Sequence, residues 1–588
     1  MTNKQIAHLL RAISAAYEIR DEEKNLFRIR AYNRAADAVE HLSSEAKDLW
    51  DDNELEKVGG IGEAIASHLG EIFKTGKSKH FAEVMKGIPP ATFELMKVSG
   101  IGPKTASKIT SELNITTADR AFEQLMQAAK EGKVAELEGM GEDSEEAIID
   151  SLEEAIRKRG KERLLLSYAS TIAANIIKYM NKSDKVDAVD ALGSLRRKAA
   201  TVGDIDISVA SKDAKKVIEH FVDYPKAKRV LEKGERDASI LLPGEVQVDL
   251  KVGEPDTYGA LLQHFTGSKH HNIALREYAQ KKGWSLSEYG IKKTKKRLKT
   301  KTEGDYYKKL GMDLIPPELR EATGEIEAAL ENKLPKLLEL KEIKGDLQIH
   351  SDFDIETSHD VGESSMKAIV KKASELDYEY IAFTEHNPSQ KGHKDKDFID
   401  ILKRKKEAVD KINSSIVKDG KISVKKVFNS LEIDILPDGS LPVPDSAMEL
   451  LDFALISIHS SFNQSRKKMT KRILSAFKHP KVKIFAHPTG RKINHREGVE
   501  IEWPEVFEFC INENKWLEIN ADPMRLDLPD MKVKDAINAG VKLTLGTDAH
   551  HKDGLDNMQY GVYVARRGWA EKDDIINTLG YSKLKKLL

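Results

Sequence analysis

The sequence predicts a multidomain α+β protein in three parts: an all-helical front, a mixed α/β middle and an irregular seven-stranded β/α barrel at the C-terminal end. Three observations carry that expectation. Over the first 160 residues a Gly-apolar-Gly element recurs about every 40 positions, as Gly60-Ile61-Gly62, Gly100-Ile101-Gly102 and Gly139-Met140-Gly141, the mark of stacked helical units. From 161 to 255 short runs such as Asp204 to Val209 and Gln247 to Val252 alternate by face, as half-buried strands do. Beyond 344, apolar strands alternate with helical stretches, and seven strand ends are polar: Gln348/His350, Glu385/His386, Glu432, His459, His487, Asn520 and Asp548/His550. Chemistry gathered at C-terminal strand ends is the layout of a β/α barrel.

The helical front comes first. A Gly-apolar-Gly turn between two helices presents backbone N–H groups at the start of the second helix, where the macrodipole also favours an anion. One such turn is an ordinary helix end. Three at similar spacing point to a phosphate backbone gripped without base reading. In Val98-Ser99-Gly100-Ile101-Gly102-Pro103-Lys104, Pro103 suits the first helical turn and Lys104 adds a counter-charge.

In the middle region Gly193-Ser194-Leu195-Arg196-Arg197 is followed by Gly203-Asp204-Ile205-Asp206. Two residues apart on a strand, Asp204 and Asp206 project from one face, and Asp249 supplies a third acid from a neighbouring strand. Three acids around two metal ions suit in-line nucleotidyl transfer. Gly193 and Ser194 offer N–H and hydroxyl donors to phosphates, and Arg197 offers charge. The basic run Lys292, Lys293, Lys295, Lys296, Arg297, Lys299, Lys301 reads either as a solvated hairpin or as a DNA-backbone contact. A charged helical linker is expected at 318–343.

Composition sets the outer limits. With 95 basic and 96 acidic residues, bulk charge gives no support for a nucleic-acid partner, so that case rests on local patches. The single Cys510 cannot form an internal disulfide and reads as a packed thiol. No apolar stretch is long enough for a signal peptide or a membrane span. A cytoplasmic protein, acting as a monomer, is expected.

Residues 1 to 320 resemble the family X DNA polymerases, through the second hairpin, the Gly193 to Asp206 block, Asp249, and His264-Phe265-Thr266-Gly267-Ser268 with Asn272 and Arg276. The resemblance implies that Asp204, Asp206 and Asp249 are the catalytic ligands of Mg²⁺ or Mn²⁺. It implies that Ser194 and Arg197 bind the triphosphate, and that Gly193, Gly203, His264, Phe265, Gly267 and Asn272 also belong to the nucleotide-binding site. DNA contacts are implied at Gly60, Gly62, Gly100, Gly102, Lys104, Gly139, Gly141 and Arg276. His264 stands where the family usually has a Tyr that excludes ribonucleotides. His68 stands where lyase-active members carry a Schiff-base lysine, and imidazole cannot form that imine, so no lyase activity is assigned.

Residues 344 to 580 resemble the PHP phosphoesterase domain, with Gly546-Thr547-Asp548-Ala549-His550 and Ala486-His487-Pro488-Thr489-Gly490-Arg491 as specific elements. That resemblance implies His350, Asp360, His386, Glu432, His459, His487, Asp548 and His550 as ligands of Mn²⁺, Zn²⁺ or Fe, with Asp360 preferred over the adjacent His359. Two positions depart from the pattern. Gln348 replaces the first His of a His-x-His opening, which weakens one metal position, and Glu385 replaces the usual Asp before His386. The implied domains are 1–85 and 86–160 (helix-hairpin-helix, DNA-binding), 161–260 (palm), 261–317 (thumb), the linker 318–343, and 344–588 (PHP). The implied function is gap-filling synthesis on gapped or primed DNA with deoxynucleoside triphosphates, plus 3′-to-5′ exonuclease and abasic-site cleavage. The competing reading is a DNA-end phosphoesterase whose front half only binds DNA.

Overall fold

The computed structural model describes residues 1, 3–42, 45–98, 100–158, 163–293, 296–418 and 422–588. Ser99 and Lys295, named above, lie outside the described residues. The chain divides into two compact units: Met1–Arg163 with Asn494–Arg496, and Leu164–Ile493 with Glu497–Leu588.

The first unit is helical and holds two cores. One is built on Ile6, Leu10, Ile13, Val39, Ile61, Leu69 and Phe81, the other on Leu95, Val98, Ile101, Ile109, Phe122, Leu125 and Leu152. The long helix Asn3–His41 is broken at Asp21, whose backbone leaves the helical region.

In the second unit a five-stranded mixed sheet runs in the order Ala188–Ala191, Ile205–Ala210, Val246–Gly253, Asp237–Leu242, Arg229–Lys233. Along Val246–Gly253 the side chains alternate, with Val246, Val248 and Leu250 buried and Gln247, Asp249 and Lys251 half-buried on the other face. A two-residue period is what places a carboxylate opposite a core residue. The basic run forms part of a three-stranded antiparallel sheet of Trp284–Ser287, Gly290–Lys293 and Lys296–Leu298. There Lys293 Nζ stands 3.5 Å above the Trp284 ring.

Residues 318–343 do not form one charged helix. They comprise the end of a turn at Pro317–Leu319, a helix at Glu325–Leu330 and a turn at Leu340–Glu342, and they bury Arg320 and Glu325 completely. Glu325 accepts from the equally buried His271, at 2.6 Å from its Nδ1. A solvent-exposed linker would leave those charges in water.

The last part of the unit is parallel: Gly345–Ile349, Tyr380–Phe383 and Lys426–Asn429 form one sheet, and Glu432–Asp434, Ala454–Ser457, Val482–Phe485, Trp516–Asn520 and Leu543–Gly546 form another. Eight segments replace the seven expected strands because one strand is interrupted between Asn429 and Glu432. Parallel bridges His386 to Glu432 and Ile349 to Ala549 join the two sheets. Nearly every strand residue is buried, which accounts for continuous apolar runs instead of alternation. Cys510 is buried too, and burial pushes its thiol up to about 12, as expected of packing and not of nucleophilic chemistry.

Candidate active sites

The first candidate site sits on the mixed sheet. Strands Ile205–Ala210 and Val246–Gly253 run parallel with Asp206 directly paired to Asp249, so both half-buried carboxylates share one face. Asp204 lies just ahead of the strand and is exposed. Asp249 accepts from Gln247 Nε2 at 3.0 and 3.1 Å and from the Ser239 hydroxyl. Burial, then Asp249 and Asp204, push Asp206 up to about 6. Among the described residues no Lys or Arg forms an ion pair with any of the three. They also do not close into one tight cluster, as uncompensated like charges would not. Lys251, on the same strand as Asp249, offsets only part of the push on Asp206, and a group of acids without a direct ion-pair partner fits divalent cations.

Gly193 approaches this site closely. Its φ is +57°, and a Cβ there would lie 2.8 Å from Asp206 Oδ2, so any side chain would collide with the carboxylate. The short helix Gly193–Arg196 carries Ser194 and ends at Arg197. Arg197 donates from Nη1 to the Thr266 carbonyl at 2.5 Å and from Nε to Glu321 at 3.0 Å. Arg196 donates to Thr266 Oγ1 at 2.6 Å and to Glu303 at 2.5 Å, and Glu303 in turn accepts from fully buried Arg320 at 2.6 Å. Thus the Gly193–Arg197 turn is tied to the Tyr258–Thr266 helix on one side and to residues 303–321 on the other.

The expected nucleotide pocket is partly self-bonded. Asn272 Nδ2 donates to the His264 carbonyl at 2.7 Å, and its Oδ1 accepts from Gln263 at 2.8 Å. His264 stacks edge-on against Phe265 at 4.9 Å, and burial lowers its pKa. Gly267 lies beside Arg197, since a Cβ on it would come 3.2 Å from Nη1. Exposed Arg276 donates to the Asn272 carbonyl at 3.1 Å.

The second candidate site lies at the strand ends of the parallel sheets, and Glu432 is its hub. One oxygen of Glu432 is 2.7 Å from His487 Nε2 and 3.2 Å from His459 Nε2. The other is 3.3 Å from His350 Nε2, 3.7 Å from His386 Nδ1 and 2.9 Å from Gln348 Nε2. His350 also meets Asp548 at 3.1 Å, and Asp360 lies between His386 (3.6 Å) and His550 (3.4 Å). All eight expected residues therefore converge, and four overlapping triads have metal-ligand geometry: His350/His386/His550, His359/His386/His459, Glu432/His459/His487 and His350/Glu432/Asp548. Buried nitrogens of His350, His386, His487 and His550 find no hydrogen-bond partner. Such orphaned imidazole nitrogens, in a buried pocket that also holds shared carboxylates, fit transition-metal ions.

Charge is balanced internally here. Burial opposes the His350 cation, but Asp548 and Glu432 outweigh it and raise the ring to about 10, while Glu432 and Asp434 likewise raise His459 to about 9. His386 is lowered to about 4, mainly by burial. Glu432 is held well below the usual carboxylate range despite its burial, by His386, His487 and His459.

Two participants, Asp434 and Arg525, carry no assignment from the sequence. Asp434 joins His359 and His459, each at 2.7 Å, so His359 enters the site beside Asp360 instead of yielding to it. The i, i+2 spacing of Glu432 and Asp434 on one strand was the available signal, the same that marked Asp204 and Asp206. Arg525, 3.5 Å from Asp548, carried no signal of its own. Glu385 belongs to none of the triads. It pairs with fully buried Lys405 at 2.7 Å and accepts from the Ser351 N–H at 3.2 Å.

The hairpins of the first unit share one geometry. Gly60, Gly100 and Gly139 have φ of +85°, +84° and +78°, and the N–H groups of Ile61, Ile101 and Met140 bond to carbonyls three residues back. Helices then start at Glu63, Pro103 and Glu142, and a Cβ on Gly62, Gly102 or Gly141 would meet nothing within 4 Å. Lys104 pairs with Glu22 at 2.6 Å. His68 stacks on His80 at 4.4 Å.

Known protein families match three segments of the chain. Residues 1–78 match a helix-hairpin-helix domain, 93–154 a SAM-like helix-hairpin-helix tandem and 261–321 the DNA polymerase beta thumb. Along the whole chain, "DNA polymerase/3′-5′ exonuclease PolX" of Bacillus subtilis is 33% identical over 592 residues, covering 100% of this chain and 99% of that protein. DNA polymerase lambda of Arabidopsis thaliana is 24% identical over 313 residues, 49% of this chain and 54% of its own. A probable phosphatase of Thermoanaerobacter sp. is 26% identical over 178 residues, 29% of this chain and 70% of its own.

Proposed function

Because this chain belongs to the family X DNA polymerases, we propose that it fills short gaps in DNA by template-directed nucleotidyl transfer on its mixed sheet and removes 3′-terminal nucleotides at its parallel-sheet site. The carrying observation for synthesis is the Asp206–Asp249 pair, without an ion-pair partner among the described residues and flanked by the Gly193 turn. Mg²⁺ or Mn²⁺, when bound, supplies the charge that lowers the primer hydroxyl's pKa and offsets the leaving pyrophosphate. The protein's part is positional. Asp204, Asp206 and Asp249 hold the cations, Gly193 leaves room beside Asp206, and Ser194 and Gly203 line the triphosphate path. Arg197 stabilises charge developing on the phosphates. Phe265 and Gly267 line the sugar, Asn272 reads the minor-groove edge after giving up its internal bonds, and Arg276 steadies the template. Gly60, Gly62, Gly100, Gly102, Gly139, Gly141 and Lys104 grip DNA phosphates.

The parallel sheets are read as an irregular PHP barrel holding Mn²⁺, Zn²⁺ or Fe, which when bound supply a hydroxide for phosphodiester attack. The orphaned histidine nitrogens around Glu432 support that reading, and the similarity to a probable phosphatase agrees with it. Gln348 contributes an amide that donates to Glu432 where an imidazole would accept a metal, so one position binds weakly.

The test is a labelled primer in gapped DNA, followed with nucleotides and Mg²⁺ and, separately, without nucleotides and with Mn²⁺. Extension in the first and shortening in the second are expected. Failure to extend would remove the polymerase assignment for this site, and failure to shorten would remove the nuclease.

A further inference from the structure

The parallel-sheet part of the chain reaches into the first active site through one helix, Met558–Arg567. Two of its residues, Tyr563 and Arg567, are four apart and therefore on one face. Arg567 is nearly buried, with 9% of its side chain exposed. It is anchored to Asp530 through Nε at 2.7 Å and Nη2 at 2.6 Å. Its remaining nitrogen, Nη1, donates to the Arg197 carbonyl at 2.8 Å and to Glu321 Oε1 at 3.0 Å. That same oxygen is the one Arg197 Nε reaches. One turn of helix earlier, the Tyr563 ring receives Lys198 Nζ at 4.7 Å, and Lys198 holds a left-handed backbone at φ +56° directly after Arg197.

We propose that Arg567 is a positioning residue for the incoming nucleotide: it holds the Arg197 turn from behind and shares Glu321, so that Arg197 keeps its guanidinium available to the triphosphate. This rests on the reading of Arg197 as a triphosphate ligand. The geometry gives the mechanism. Glu321 Oε1 lies between two guanidinium groups, and while Arg567 holds it the carboxylate makes a single bond to the edge of Arg197. Among the described residues nothing bonds Arg197 Nη2. Without Arg567 the carboxylate has only Arg197 as a cation partner, and a bidentate pair would take the fork that a phosphate needs. Arg567 cannot be replaced by a point charge, because its planar fork spans Asp530, Glu321 and a carbonyl at once.

The test measures steady-state gap filling and primer degradation by Arg567→Ala, Arg567→Lys, Arg567→Ala/Glu321→Gln and Arg197→Ala. In Arg567→Ala the KM for nucleotide should rise roughly tenfold, the size of one weakened charge-assisted bond, with the KM for DNA unchanged. Arg567→Lys should move the same way by less. Exonuclease activity should stay intact, reporting a folded chain. Adding Glu321→Gln should return most of the nucleotide affinity, because an uncharged amide no longer competes for Arg197. A purely structural role for Arg567 would lower primer degradation together with gap filling in Arg567→Ala, and would move kcat and the KM for DNA as well as the nucleotide KM. If Arg567→Ala does not fold, Arg567→Lys with and without Glu321→Gln decides the matter. An unchanged nucleotide KM in the Arg567 variants, or no rescue, overturns the proposal. If Arg197→Ala itself leaves that KM unchanged, the triphosphate reading falls and the proposal with it; a raised KM in Arg197→Ala beside normal Arg567 variants sinks the proposal alone.

Discussion

The two candidate active sites gather acids for the same purpose and balance their charge in opposite ways. On the mixed sheet Asp204, Asp206 and Asp249 have no ion-pair partner among the described residues, and burial, with repulsion from Asp249 and Asp204 added to it, raises Asp206 to about 6. At the parallel-sheet site the acids of the triads are answered by imidazole, so that Glu432 and Asp548 lie well below their ordinary range while His350 and His459 rise to about 10 and 9; Glu518, buried behind them without an imidazole partner, is instead pushed up. A cation entering the first site relieves repulsion. A cation entering the second must displace protons. Metal uptake should therefore release few protons at the first site and more at the second.

The strongest way to break that comparison is to remove one proposed metal ligand from each site. Asp206→Ala or Asp249→Ala should cut nucleotide addition by at least about a thousandfold without affecting 3′-to-5′ degradation, measured on one labelled primer. Conversely, His487→Ala or Asp548→Ala should lower degradation by about a hundredfold or more while gap filling continues. Loss of both activities from either change would mean that the sites are not separate.

Proton counting sharpens the contrast. Titration calorimetry in buffers of different ionisation enthalpy should find about two protons released per fully loaded parallel-sheet site at pH 7.5 and close to none at the mixed sheet. Equal release would remove the distinction. A smaller effect concerns stability. Because Asp206 is raised from 3.8 to about 6, the folded state holds a proton that the unfolded chain releases first, so metal-free stability falls as pH rises from about 4 to about 6. Asp206→Asn should therefore stabilise the metal-free protein by about 1 kcal/mol above pH 6, after discounting for partial exposure, and by nothing below pH 4. Melting curves with chelator across that range check the sign. The smallest expected change is in Gln348→His, which should raise metal bound per chain and lower the Mn²⁺ needed for cleavage, read by elemental analysis beside activity.

What the sequence made legible was whatever depends on local spacing. The i, i+2 acids of one strand, the positive-φ glycines of three hairpins and the histidines closing successive strands each carry their geometry in a few adjacent residues. The linker was misread because its charges looked solvent-bound, whereas Arg320 and Glu325 are buried against Glu303 and His271. Arg567 was invisible for a related reason, since its partners lie 370 and 246 residues away. Long-range ion pairs have no periodicity to read. Gln348 and Glu385 were visible as departures, yet only the fold reveals that one donates to Glu432 and the other turns toward Lys405.

The Glu385–Lys405 pair has a consequence for how this chain can change. Both ends are sealed from solvent, at 3% and 0% exposure, and Lys405 Nζ also bonds the Phe383 carbonyl at 2.9 Å and the Ser430 carbonyl. Losing either partner leaves the other a buried charge without its counter-charge, at a cost of about 3–5 kcal/mol, whereas exchanging both for well-packed apolar groups is close to neutral. Single steps between those two states are closed. In any set of related chains the two positions should therefore drift as a unit, and a chain that shortens the acid to Asp should be found with its lysine moved, replaced or lost.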